Sequence, residues 1–93
     1  MDPKTLVRAA RDHVKSQPPF ALEVALTALH WMASGVGYEL TGADVCSARD
    51  HALAAAAETF GLGAVASARI AESVAGHGAS ARWVRQCLGL DAA

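Results

Sequence analysis

PFALEVALTALHWMAS, residues 19–34, is apolar on nearly every side of a helix. Phe20, Ala21, Leu22, Val24, Ala25, Leu26, Ala28, Leu29, Trp31, Met32 and Ala33 leave only Glu23, Thr27, His30 and Ser34 polar. Those four follow at offsets of four, seven and eleven, which sets them on one narrow line. A helix with so wide an apolar surface is either central to a bundle or shared with a second subunit. Glu23 and His30 share a face but lie two turns apart, roughly 10 Å along the axis, too far for a hydrogen-bonded acid–base dyad. The line reads as a solvent-facing strip.

Working outward, Pro18-Pro19, Gly35-Val36-Gly37 with Thr41-Gly42, Gly61-Leu62-Gly63 and Gly76-His77-Gly78 break the chain into five helical segments. Alanine, leucine and arginine favour helix, and no run of four residues alternates as a strand would. The fold class is therefore all-α: a compact bundle of four to five short helices in one domain, 1–93, with the helix at about 19–34 central.

The first helix should run from about Pro3 to Ser16, with Asp2 as N-cap and Leu6, Val7, Ala10 and Val14 inward. Lys4, Arg8, Arg11 and Lys15 then share its opposite face. The third begins at Thr41-Gly42-Ala43-Asp44, which has the form of a capping box. It buries Val45, Ala48, Ala52, Leu53, Ala56 and Phe60, and its alanines allow close approach of helix axes. Arg49 falls within that apolar arc, where it must snorkel outward or meet a carboxylate such as Glu39 in a buried ion pair. The fourth helix, about Leu62 to Ala75, turns Ala66, Ile70, Ser73 and Val74 inward. The last starts near Ala79 with Ser80 as N-cap, places Trp83, Val84, Cys87 and Leu88 inward and Arg82, Arg85 and Gln86 outward, and stops at Gly89.

Composition narrows the chemistry. Of 93 residues, 49 are apolar, but 22 of these are alanine, leaving 27 large enough to fill a core. A chain of this size buries about 60 to 65% of its unfolded surface, which argues against a second domain or a large enclosed cavity. The net charge of -1 lacks the basic excess of a general nucleic-acid binder. Charge does vary locally: residues 1–18 carry +2, residues 19–60 carry -4 and residues 61–93 carry +1.

The amino-terminal stretch MDPKTLVRAARDH is charged where a signal peptide is apolar, and no segment approaches the roughly 20 apolar residues of a membrane span. A cytoplasmic location with no membrane association is the expectation, and Cys46 and Cys87 are expected free and reduced. Neither cysteine has a neighbour marking it as an activated nucleophile. No zinc-ligand spacing links Cys46, Cys87, His13, His30, His51 and His77, and neither short glycine turn has the length of a phosphate loop. No metal, cofactor or catalytic residue is expected, and the chain is read as not an enzyme.

Two partial resemblances bear on function. Trp31, Gly35 and Tyr38, with Ala54 beyond them, resemble several positions of a tetratricopeptide repeat, W-x2-L-G-x2-Y. Gly37 and the Thr41 cap end the first helix early and no second copy follows, so the resemblance implies a hairpin of helices 2 and 3 rather than the repeat family. Arg69 to Ala75, a Gly-His-Gly turn and Ser80 to Gln86 are similar to a DNA-binding helix-turn-helix unit. The favoured expectation is a non-enzymatic protein-interaction module, self-associating as a homodimer or binding and modulating a larger complex, for instance as an inhibitor. Lys4, Arg8, Arg11, Lys15, Arg82 and Arg85 are its candidate partner-binding residues. The alternative is a helix-turn-helix DNA-binding regulator using the last helix, about 80–88.

Overall fold

A computed structural model describes residues 3–35, 40–59, 63–76 and 78–90, with backbone alone at 59 and 63–65. Five helices and no strand are found among them: α1 (Pro3–His13), α2 (Pro18–Ala33), α3 (Gly42–Thr59), α4 (Gly63–Ser73) and α5 (Ala79–Cys87). The all-α bundle read from the sequence is the fold. Its Cα radius of gyration, 12.0 Å, matches the roughly 12 to 13 Å of a compact chain of this length.

The core explains the arrangement. Ala21, Leu22, Ala25, Leu26, Ala28, Leu29 and Met32 of α2 are all buried, and Val45, Ala48, Ala52, Ala55 and Ala56 of α3 are fully buried. With so many methyl side chains the two helices can approach closely, and theirs is the most extensive helix contact in the molecule. Each also touches α1, α4 and α5. α2 is central, as its apolar circumference implies, and α3 packs beside it at the centre. Leu6 and Ala10 of α1, Ala66 and Ile70 of α4, Val74 beyond it and Val84 of α5 close the remaining sides. No polar or charged side chain is buried among the described residues. The apolar circumference of α2 is covered within the chain, except at Phe20 and Trp31, which are 46% and 40% exposed.

Local chemistry sets the boundaries. α1 stops at His13, short of the expected Ser16; the Gln17 amide donates to the His13 carbonyl. Gln17 takes φ -140° and ψ 69° because a residue ahead of proline is driven out of the helical region. The capping box forms in full: the Thr41 amide donates to Asp44 Oδ2 at 2.9 Å, and the Asp44 amide donates to Thr41 Oγ1 at 3.3 Å. The expected Ser80 cap does not form. Gly78 takes the N-cap position of α5 at φ 105°, with no side-chain cap.

The carboxyl end of α5 is a full Schellman turn. The Gly89 amide donates to the Gln86 carbonyl at 3.1 Å, and the Leu90 amide to the Arg85 carbonyl at 2.9 Å. Gly89 has φ 72°, which an L side chain resists. The expected Asp2 cap, and Phe60 as a core residue, lie outside the described residues.

Candidate functional site

The face of α2 that carries the polar line meets α4 in an open groove of about 380 Å³. Glu23, Leu26, Thr27, His30 and Trp31 line it from α2, and Arg69, Glu72 and Ser73 from α4. One ion pair spans it: Arg69 Nη1 lies 2.7 Å from Glu23 Oε1. That hydrogen bond with Glu23, ahead of the opposing effect of burial, holds the Arg69 guanidinium above its ordinary pKa. Both side chains are largely exposed, so the pair adds little to the stability of the fold.

The two hydroxyls are occupied locally. Thr27 Oγ1 donates to the Glu23 carbonyl at 2.8 Å, and Ser73 Oγ donates to the Arg69 carbonyl at 2.9 Å. Neither is therefore poised as a nucleophile. Trp31 stands on the rim with its ring edge-on to His30, centroids 5.4 Å apart at 64°. Its indole remains exposed. Among the described residues no three His, Cys, Asp or Glu side chains converge to hold a metal ion. No described helix is long and apolar enough to cross a membrane.

The residues expected to bind a partner separate into two groups. Arg8, Arg11 and Lys15 are exposed, and Arg11 Nε donates to the adjacent Asp12 at 3.0 Å. Lys15 falls past the end of α1, so the regular stripe ends at Arg11. Lys4 is half-buried, with Nζ 3.9 Å from Asp44 Oδ2, where it joins α1 to the cap of α3. On α5, Arg82 is exposed but Arg85 is turned inward. Arg85 Nη1 donates to the carbonyls of Val74, at 3.0 Å, and Gly76, at 2.8 Å. It caps the chain leaving α4.

Arg49 reaches the surface. Its side chain is 33% exposed, and Nε and Nη2 both approach Asp50 Oδ1 at 3.2 Å. Arg49 snorkels toward the surface, the first of the two outcomes its place in the apolar arc allows, and pairs with its own neighbour. Glu39, the carboxylate proposed for it, lies outside the described residues.

The groove itself was not foreseen. Glu23, Thr27 and His30 form a polar line, but Arg69 and Glu72 lie 39 to 49 residues away and nothing in their spacing announces what they face. An arginine on a helix already assigned to a helix-turn-helix unit carries no sign of a partner on α2. The chain was compared with family models, with curated proteins and with solved structures, and no match was found.

Proposed function

We propose that this chain is a non-enzymatic protein-interaction module that receives a segment of a partner protein in the α2–α4 groove, with Trp31 as the anchoring side chain. The observation that carries this reading is Trp31: a large aromatic, 40% exposed, lining an open groove that an ion pair spans. Tryptophan is over-represented among residues that dominate binding energy, because it buries a large area at small entropic cost. Leu26 and Trp31 offer the apolar floor and rim, while Glu23, His30, Arg69 and Glu72 offer a polar border. A concave surface of this composition suits a convex segment with one apolar anchor and polar flanks.

Arg8, Arg11 and Lys15 add a basic edge along α1 that would speed the approach of an acidic partner. The DNA-binding alternative draws less support, since Arg85 is engaged by backbone carbonyls and Trp83 packs against the core. Affinity capture from the native host tests the proposal, with Trp31→Ala and Arg82→Ala as paired controls. A partner retained by the wild type and by R82A but lost with W31A supports the groove. Equal retention by all three would sink it. Light scattering on the same proteins from low to high micromolar concentration identifies a second copy as the partner if a dimer forms and W31A removes it.

A further inference from the structure

Two thiols 41 residues apart in sequence come together where α5 crosses α3. Cys46 lies in the first turns of α3 and Cys87 is the last residue of α5. Cys46 Sγ donates to the backbone carbonyl of Cys87 at 3.7 Å. Cys87 Sγ rests over Gly42, one turn upstream of Cys46, where an added methyl group would sit 3.6 Å from the sulfur. Each sulfur therefore lies against the backbone of the other's helix. Both are free thiols and only half-buried, so a small reagent can reach them. Burial, and behind it the charge of Cys46, pushes the Cys87 thiol above its ordinary pKa.

The geometry points to a reversible disulfide between Cys46 and Cys87, a redox-operated tie that fastens the carboxyl-terminal helix α5 to α3. Forming the bond requires both sulfurs to turn off the opposing backbone toward each other, and Cys87 sits at a helix end, where local adjustment costs least. A low-molecular-weight disulfide of the oxidised-glutathione class is the oxidant. Cys46 thiolate attacks one of its sulfurs, the small S–S bond breaks, and one thiolate leaves and takes up a proton. Cys87 then loses its proton and attacks the Cys46 sulfur of the mixed disulfide, expelling the second small thiol. The two protein thiols give up two electrons and two protons, and the oxidant becomes two thiols. Because Cys87 is held protonated, this second step is slow at neutral pH and quickens as pH rises.

The test uses the full chain incubated with oxidised glutathione and measured by intact mass, free-thiol titration and thermal melting. The expected product is a monomer lighter by two hydrogens, with no titratable thiol and a melting temperature raised on the order of 10 °C, reversed by dithiothreitol. Cys46→Ser and Cys87→Ser should each stop at a single glutathione adduct with no such rise. Wild-type chains that end with two glutathione adducts, or as disulfide-linked dimers, would overturn the assignment. That readout needs no variant to fold.

Discussion

Replacing Arg85 by alanine removes two hydrogen bonds from a guanidinium to the carbonyls of Val74 and Gly76, at 3.0 and 2.8 Å. A hydrogen bond to a charged group contributes about 1.5 to 3 kcal/mol, and a cation at a helix carboxyl end adds about 0.3 to 1 kcal/mol. Water can replace the guanidinium at exposed Gly76 but reaches the buried Val74 less easily. Counting the Val74 bond alone, at the low end of both ranges, gives about 2 kcal/mol. For a domain of this size each kcal/mol lowers the melting temperature by about 4 to 8 °C, so Arg85→Ala should melt on the order of 10 °C below wild type. Arg82→Ala, less than one turn upstream on the same helix but exposed, should fall within about 0.5 kcal/mol of wild type. Arg85→Lys should recover part of the loss, since an ammonium keeps the charge but not the planar fork. Thermal denaturation followed by circular dichroism at 222 nm reads all three. If R85A and R82A melt together at the wild-type temperature, the capping role is wrong and Arg85 returns to the partner-binding surface.

Leu29 is fully buried, so Leu29→Ala should cost about 3 to 5 kcal/mol in urea denaturation, whereas Ala52→Leu should lose about 1 to 3 kcal/mol or more by forcing α2 and α3 apart. Thr41→Ala removes one arm of the capping box and should lower stability by about 1 kcal/mol in the same titration. Glu23→Ala should lose less than about 1 kcal/mol, and molar salt should erase the difference because the pair it breaks is exposed. A thiol whose pKa is raised by folding contributes stability that is fully present below its unfolded value of 9.0 and is lost as pH climbs through the folded one. Melting temperatures of the reduced wild type should thus fall more steeply above pH 9.0 than those of Cys87→Ala, and parallel curves would contradict the burial argument.

Local chemistry was legible wherever it acts between near neighbours. Thr41 and Asp44 form their box three residues apart, and Gly89 ends α5 through bonds to Gln86 and Arg85. The apolar stripe of α1 was readable in the same way: Leu6 and Ala10 are buried, with Val7 and Val14 packed beside them. What is not legible is which of several groups a long side chain reaches. Arg85 lies at an outward helical position by periodicity, yet its flexible stem carries the guanidinium back to the carbonyls that close α4. Arg49 lies at an inward position and its stem carries the charge out to Asp50. Periodicity fixes a Cβ direction and leaves several ångströms of reach undetermined.

The sequence by itself determined five helices, their order and the apolar character of 19–34, because helix formation and capping depend on residues within one or two turns. Only the tertiary structure decided that α2 shares the centre with α3, that Glu23 meets Arg69 and that Cys46 meets Cys87. Those outcomes depend on which apolar faces pack together, and in an alanine-rich chain many faces are nearly equivalent in hydrophobicity. Shape complementarity between small side chains selects among them, and it is a property of whole surfaces rather than of any local pattern.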